Sequence, residues 1–280
     1  MSMKIAITGA TSGIGTEKVK ALAPLCEQMF LLVRDEKKAR DLIQSLPSHQ
    51  EKISVIYCDL SDLSSVAKTA TTLSQKTTHL DVLINNAGGI FPDKTITTEG
   101  HELTFCVNHL GHFLLTYLTM PLLTSDKGGK IISVSSEAHR AAKVNEEDLE
   151  LKNDFSSFKA YANVKLYNLL FTKSLAEKFN AKKIEAYALH PGVVNTNFGT
   201  QSKGIFKFLL YLAKPFMISP KEGAQTGIHL ATHQLDPKSN GGYFKKRKLA
   251  KASKDASSKK LRDLLWAYSL KQIEPYLSEK

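Results

Sequence analysis

The sequence contains few cysteines and no long hydrophobic segment. Its three cysteines, Cys26, Cys58 and Cys106, are far apart and form no Cys-x-x-Cys pair. This pattern argues against a disulfide framework or a zinc site and favours a reducing compartment. No window holds about 18 uncharged apolar residues, so we expect no transmembrane span. The opening Met-Ser-Met-Lys predicts no signal peptide. We therefore expect a cytoplasmic protein, with peripheral membrane association as the alternative.

Short apolar runs alternate with helical segments along most of the chain. Of the 280 residues, 42% are hydrophobic, which is ordinary for a globular protein. The patterns predict strands over 4–8, 29–33, 53–58, 80–84, 130–134 and 184–189. Helices are predicted over 16–23, 35–46, 61–74 (with Ser61 as N-cap), 99–123, 160–179 and 257–269. This alternation predicts one doubly wound Rossmann domain over residues 1–280, with a parallel sheet of about seven strands and helices on both faces.

A glycine run separates the first predicted strand from the first predicted helix. Gly9, Gly13 and Gly15 let the backbone approach a phosphate closely, and the helix N-terminus offers free N–H groups. A glycine-rich turn without a ligand is the alternative. The strand–turn–helix context favours a dinucleotide site, to which the run would contribute Gly9, Thr11, Ser12, Gly13, Ile14 and Gly15.

The end of the second predicted strand bears on the choice of cofactor. An acidic residue there would accept hydrogen bonds from the ribose of NAD, whereas Arg34 could hold a 2′-phosphate. Asp35 follows directly and favours NAD. We expect NADP(H), with NAD(H) as the alternative. Asp59, just past the third strand, is placed either to meet the adenine or to form a turn with Ser61.

Tyr161 and Lys165 lie four residues apart in a predicted helix, so their side chains share one face. A nearby ammonium favours a phenolate, and such a tyrosine could exchange a proton with an alcohol or a carbonyl near neutral pH. A chance pair on a helical surface is the alternative.

Taken together, the motifs resemble those of the short-chain dehydrogenase/reductase family. They occur in the family's order, as Thr8–Gly15, Asp59-Leu60, Asn85–Gly88, Asn108, Val134–Ser136, Tyr161-xxx-Lys165 and Pro191-Gly192 with Thr196. Residues 107–116, 134–139, 241–244 and 265–266 further resemble the retinol dehydrogenase-like branch, which includes the WW-domain oxidoreductases. We expect neither the membrane-anchoring segment of many retinol dehydrogenases nor a WW domain.

The resemblance implies a role for each matching residue. Tyr161 would be the general acid or base, and Lys165 would lower its pKa and bind the nicotinamide ribose. Ser136, rather than the strand-end Ser135, would bind the substrate oxygen. Asn108 would hold a water that links Lys165 to solvent. The remaining cofactor contacts would come from Arg34, Asp59, Leu60, Asn86, Ala87, Gly88, Pro191, Gly192, Val194 and Thr196.

Several other polar residues favour structural roles. His109, His112 and His139 share no tight ligand motif, so we expect no metal site. His190 precedes a proline and is interpreted as a strand-end residue. Cys106 has no activating partner in the sequence and is interpreted as core packing.

The segment 199–220 is strongly apolar and predicts a lid over a hydrophobic substrate, such as a long aldehyde, a retinoid, a steroid or another lipid-like carbonyl. A core helix, a homodimer contact or an interfacial helix are the alternatives.

The C-terminal region carries most of the positive charge. Between residues 238 and 262 there are ten Lys or Arg and one Asp, which gives +9 of the chain's net +11. We expect a solvated basic extension over 245–280, with weak membrane contact as the alternative and no nucleic acid. The leading hypothesis is an NADP(H)-dependent oxidoreductase that interconverts a carbonyl and an alcohol. The alternative is an NADP(H)-binding regulatory protein with little turnover.

Overall fold

The computed structural model describes residues 3–124, 128–194 and 217–277. In these ranges eight strands form one sheet in the order β3-β2-β1-β4-β5-β6-β7-β8. The strands are β1 (Met3–Thr8), β2 (Cys26–Val33), β3 (Ile53–Tyr57), β4 (Val82–Asn85), β5 (Gly129–Val134), β6 (Ile184–His190), β7 (Tyr243–Lys245) and β8 (Lys248–Ala250).

Strands β1 to β7 run parallel to their neighbours, and β8 returns antiparallel to β7. The doubly wound fold is therefore as predicted. The eighth strand arises because the turn between β7 and β8 is a tight hairpin at Lys246 and Arg247, both with positive φ. Strands of three residues each are too short to show an apolar periodicity in the sequence.

Helices cover both faces of the sheet. They are α1 (Gly13–Leu22), α2 (Glu36–Gln44), α3 (Leu63–Lys76), α4 (Leu103–Phe105), α5 (Gly111–Leu123), α6 (Ser157–Lys178), α7 (Pro220–Thr232) and α8 (Lys259–Ile273). Side chains of α3, α5, α6 and α8 enter one buried cluster, and those of α1, α2 and α7 enter the other. Both faces of the sheet are thus covered, as parallel sheets require.

Four predicted helix starts were wrong. Helix α6 begins at Ser157 rather than residue 160. Helix α1 begins at Gly13 rather than residue 16, because Gly15 N already donates to the carbonyl oxygen of Ser12 within the glycine turn. Helix α3 is capped by Asp62, whose carboxylate accepts from Ser65 N at 3.0 Å, rather than by Ser61. The helix predicted from residue 99 begins at Leu103, where Glu102 caps α4 by accepting from the amide of Phe105.

Elements of the basic C-terminal region pack against the rest of the domain. Strands β7 and β8 extend the sheet, and α8 packs against α6. Trp266 of α8 contacts the rings of Phe113 and Phe171. Across the ranges that the structure describes, no helix is both long enough and apolar enough to cross a membrane.

Candidate active site

A deep cleft opens at the carboxyl ends of the parallel strands. The strand order reverses between β1 and β4, and ligands of such sheets bind in the crevice outside that point. The cleft has a volume of about 1460 Å³. The sequence-predicted residues that line it are Gly9, Thr11, Ser12, Gly13, Ile14, Gly15, Arg34, Asp59, Leu60, Asn86, Ala87, Gly88, Ser136, Tyr161, Lys165, Pro191, Gly192 and Val194. Thr196 and residues 199–216 of the predicted lid lie outside the described residues.

The glycine turn is closely packed at the floor of the cleft. Gly9 has φ +63°, and a Cβ there would lie 2.8 Å from the Cα of Ala87. A Cβ on Gly15 would collide with the carbonyl oxygen of Gly9. Both glycines are therefore required by the close packing of the turn, and residues at the N-terminus of α1, Gly13 and Ile14, line the cleft where a phosphate would meet free N–H groups. The turn therefore fits the pyrophosphate of a nicotinamide dinucleotide.

Thr8 and Asn86 join the glycine turn to β4. The Thr8 hydroxyl accepts from the backbone amides of Asn86 and Ala87, each at 3.0 Å. The Asn86 amide group donates to the carbonyl oxygens of Thr8 at 2.9 Å and Gly9 at 3.1 Å. The two strand ends on either side of the crevice are thus held together by side chains that belong to the motifs themselves.

Positive charge surrounds the end of β2. The Arg34 guanidinium is largely exposed and lies 4.0 Å from the Asp59 carboxylate. The Asp35 carboxylate has two partners within α2. It caps the helix by accepting a hydrogen bond from Lys38 N at 3.0 Å, and it forms an ion pair with Lys38 Nζ at 3.1 Å. The backbone hydrogen bond from Lys38 lowers the pKa of Asp35 below its ordinary value. The sequence did not single out three further cations that also line the cleft, Lys37, Lys38 and Arg40.

Asp59 forms the turn with Ser61 that the sequence offered as one of two roles for it. Its Oδ1 accepts from the amide of Ser61 at 2.9 Å and from the Ser61 hydroxyl at 2.6 Å. Because Asp59 also lines the cleft, the same turn that orders the start of α3 presents a carboxylate to the predicted adenine region.

Lys165 connects Tyr161, which lines the cleft with it, to the fully buried Asn108. Lys165 Nζ donates to Asn108 Oδ1 at 3.1 Å and to the carbonyl oxygen of Val134 at 3.3 Å, and it lies 5.2 Å from the centroid of the Tyr161 ring. The bond between Lys165 and Asn108 is direct, and the water relay expected at Asn108 stays a prediction.

Asn108 owes its position to a local change in helix type. Residues Cys106–Leu110 form a π-helical turn between α4 and α5, a feature common at functional sites. The Asn108 amide group donates to the carbonyl oxygens of Thr104 at 2.9 Å and Gly89 at 3.0 Å, and its Oδ1 also accepts from Gly89 N at 3.2 Å. These bonds hold its carbonyl oxygen toward Lys165.

Burial controls the protonation of the tyrosine–lysine pair. It raises the pKa of Tyr161, and a hydrogen bond with the Ser136 side chain opposes that rise in part. It lowers the pKa of Lys165 to about 7. This differs from the depressed tyrosine pKa that the sequence suggested, because the ammonium lies near the ring rather than at the hydroxyl and is itself buried. A protonated tyrosine is the form required of a general acid.

The two serines after β5 have different partners. Ser135 is buried, and its hydroxyl donates to the carbonyl oxygen of Lys165 at 2.7 Å. Ser136 lines the cleft beside Tyr161, and its hydroxyl accepts from Ala138 N at 3.2 Å. The arrangement leaves Ser136 placed to meet a substrate oxygen and gives Ser135 a structural role.

Glu137 links the loop of Ser136 to the C-terminal hairpin. Its carboxylate accepts from the Tyr243 hydroxyl at 2.7 Å and pairs with Lys245 at 3.6 Å, while its amide donates to His190 Nδ1 at 3.3 Å. Burial raises the pKa of Glu137, but the bonds from Tyr243 and Arg140 outweigh it and bring that pKa to about 2. A negative charge on Glu137 therefore connects the loop of Ser136 to β7.

The histidines have structural partners. His112 Nε2 lies 2.9 Å from the Thr8 hydroxyl, His109 Nε2 lies 2.8 Å from the Ser269 hydroxyl, and His139 Nε2 accepts from Ser253 N at 3.1 Å. Within the described ranges, no group of three or more His, Cys, Asp or Glu residues could hold a metal ion. Burial raises the pKa of Cys106, consistent with packing.

Lys18 is a second buried lysine in the site, and no sequence motif pointed to it. Its side chain is fully buried in α1, and burial lowers its pKa to about 7. Its ammonium donates to Asn86 Oδ1 at 2.9 Å.

Stability should rise with pH above neutrality because of these two lysines. Folded Lys18 and Lys165 have pKa values of about 7, whereas in the unfolded chain the value is about 10.4. The unfolded state therefore binds more protons at pH 7–8.5, and each lysine should add about 1–2 kcal/mol to the free energy of unfolding across that window. Urea denaturation at several pH values measures this rise in the free energy of unfolding. Lys18→Met should remove about half of the rise, and an equal slope in that variant would contradict the assignment.

Comparisons with known proteins match most of the chain. The sequence model of the family described as short chain dehydrogenase matches residues 3–204. Retinol dehydrogenase 12 from Mus musculus is 37% identical over 268 residues, which cover 95% of this chain and 84% of that protein. The WW domain-containing oxidoreductase of Pongo abelii is 31% identical over 286 residues, covering 99% of this chain and 69% of that protein. The crystal structure of an uncharacterized protein from Mycobacterium paratuberculosis superimposes with a TM-score of 0.78 at 29% identity, covering 97% of this chain and 93% of that chain.

Proposed function

We propose that this chain, which belongs to the short-chain dehydrogenase family, uses NADP(H) to interconvert a carbonyl and an alcohol on a hydrophobic small molecule. The observation that carries the proposal is the meeting of Ser136, Tyr161 and Lys165 in the cleft that the glycine turn also lines. One region of the cleft can hold a dinucleotide, and the other presents a proton donor to a substrate oxygen.

The side chains divide the work at the substrate oxygen. When bound, the nicotinamide supplies or accepts the hydride. Tyr161 donates its phenolic proton to the developing alkoxide during reduction and recovers it during oxidation. Ser136 donates a second hydrogen bond to the same oxygen and stabilises the charge that develops there. Asn108 Oδ1 accepts from Lys165 Nζ at 3.1 Å and so holds that amine beside Tyr161, where it would also reach the nicotinamide ribose.

NADP(H) is the cofactor that the rim charges favour. Arg34 follows β2 where a ribose 2′-substituent would lie, and Lys37, Lys38 and Arg40 add positive charge to the same cleft. Asp35, the residue that favours NAD(H), holds the first turn of α2 and Lys38. Its carboxylate is therefore engaged, and the cationic side chains dominate the rim.

Arg34→Gln should weaken NADPH binding about tenfold to hundredfold. A charge-assisted hydrogen bond to a phosphate is worth about 1.5–3 kcal/mol, and each 1.4 kcal/mol is a factor of ten in affinity. NADH lacks the 2′-phosphate and serves as the internal control, with an expected change below about threefold. Fluorescence titration of both nucleotides measures the effect. Equal weakening of NADPH and NADH would refute a 2′-phosphate contact at Arg34.

A hydrophobic substrate is supported by two observations. The relatives include proteins named for retinol, and the sequence of residues 199–220 is strongly apolar, with Phe206, Phe208 and Phe216 among its members. Purified protein should consume NADPH faster with long-chain aldehydes or retinal than with short polar aldehydes. Tight NADPH binding without turnover on any aldehyde or ketone of a broad panel would favour a cofactor-binding regulatory protein instead.

Location and assembly complete the proposal. We expect a cytoplasmic protein whose basic residues between 238 and 262 form a solvated face, with weak contact to anionic membrane surfaces as the alternative. A homodimer and the lid role of residues 199–220 stay predictions.

A further inference from the structure

The side chain of Lys18 occupies a closely packed position in which its amine has no access to solvent. Lys18 is fully buried between α1 and α7. A Cβ on Gly227 of α7 would lie 2.5 Å from Lys18 Cε and 3.0 Å from Nζ, so α7 has a glycine where any other residue would displace the lysine. Only a few buried lysines lack an ion pair, because a buried charge without a counter-charge is costly.

The ammonium is connected to the cofactor turn by hydrogen bonds. Lys18 Nζ donates to Asn86 Oδ1 at 2.9 Å. Because that oxygen is engaged, the Asn86 amide group points its hydrogens at the carbonyl oxygens of Thr8 and Gly9, at 2.9 and 3.1 Å. Gly9 lines the cleft. Lys18 therefore fixes the orientation of a side chain that itself fixes the glycine turn.

We propose that Lys18 is a positioning residue of the nucleotide site whose amine takes up a proton from solvent when the anionic cofactor binds. The inference rests on the proposed use of a nicotinamide dinucleotide. The phosphates of such a cofactor would bring negative charge to the far side of the turn that Lys18 supports. Positive charge on Lys18 and negative charge in the cleft then stabilise each other, and by linkage each promotes the other.

The surroundings of Lys18 make this coupling specific. Burial alone lowers its pKa to about 7, so no charged group of the described chain compensates the ammonium. The charged and titratable groups on the packed elements have other partners or face solvent. On α1, Glu17 pairs with Lys20. On α7, Glu222 caps the helix with Ser219, Lys221 is exposed, and the ring of His229 contacts that of His233. At the end of β6, His190 accepts a hydrogen bond from Glu137 N. A counter-charge for the Lys18 ammonium can therefore come from an anion bound in the cleft.

Calorimetric titration with NADPH at pH 7.5, in two buffers with different ionisation enthalpies, measures the coupled protons. If the cofactor raises the pKa of Lys18 by one unit, wild type should take up roughly half a proton more than Lys18→Met. Lys165 and the nucleotide phosphates contribute equally in both proteins, so the difference isolates Lys18. Over pH 6–9 the affinity of wild type should also fall by up to about tenfold more than that of the variant.

Lys20→Met is the matched control, because it removes one positive charge from the exposed side of the same helix, where Lys20 pairs with Glu17 at 3.0 Å. This control should retain the wild-type proton uptake. Equal uptake in Lys18→Met and Lys20→Met would overturn the proposal. If Lys18→Met does not fold, Lys18→Leu takes its place in the same comparison, and uptake by Lys18→Leu equal to that of Lys20→Met would likewise overturn the proposal. Absence of NADPH binding by wild type would instead refute the proposed cofactor.

Discussion

Tyr161→Phe is expected to lower kcat for carbonyl reduction by about a thousandfold. General acid catalysis contributes roughly 10²–10⁴ in rate, and the phenol is the side chain placed to donate the proton beside Ser136. The ring stays in place, because Tyr161 is only 8% exposed and packs in the main core. The dissociation constant for NADPH should therefore change by less than about threefold. Steady-state kinetics and nucleotide titration on the same preparation measure both quantities.

Tyr167→Phe is the matched control for that substitution. Tyr167 lies on the same helix, is equally buried, and donates its hydroxyl to the carbonyl oxygen of Leu149 at 2.9 Å. Its loss should cost about 1–3 kcal/mol of unfolding free energy through the unsatisfied acceptor, while turnover stays within a few-fold of wild type. Near-wild-type turnover by Tyr161→Phe, or an equal loss in Tyr167→Phe, would contradict the assigned acid.

Ser136→Ala and Ser135→Ala should separate catalysis from stability. Removing a preorganised donor to a developing oxyanion costs about 10²–10³ in kcat, and that loss is expected of Ser136→Ala with little change in unfolding free energy. Ser135→Ala instead removes a buried 2.7 Å bond to the carbonyl oxygen of Lys165. It should cost about 1–3 kcal/mol of stability and reduce kcat by less than about tenfold.

Both kcat and the free energy of unfolding from urea denaturation are measured for the two serine variants. If Ser135→Ala lost more turnover than Ser136→Ala, the roles of the two serines would be reversed. Both serines line the cleft, and they differ in their partners, because the Ser135 hydroxyl already donates to the carbonyl oxygen of Lys165.

Local patterns predicted the scaffold well. The predicted membership of the short-chain dehydrogenase family and the doubly wound fold are confirmed. Six strands were recognisable because each is a short apolar run, as in Ile5–Ile7 of β1. Glycine spacing located the tight turn before α1, because only backbone without a side chain can pack against Ala87 as Gly9 does; its cofactor role stays a prediction.

What the sequence did not reveal depends on contacts between distant segments. Lys18 belongs to no motif, and its burial requires Gly227 on a helix more than 200 residues away. The sequence could not show that Asp35 caps α2, because an aspartate at that position could equally bind a ribose. The pKa direction at Tyr161 was misjudged because spacing along a helix says nothing about burial, which dominates both groups.

Transfer of deuterium from C4-deuterated NADPH to a long-chain aldehyde tests the central claim most directly. The account predicts that wild type forms the deuterated alcohol in step with NADPH consumption, and that Tyr161→Phe binds NADPH yet forms almost none. Deuterated product at equal rates from both proteins, or its absence from wild type with every hydrophobic aldehyde and ketone offered, would contradict the account.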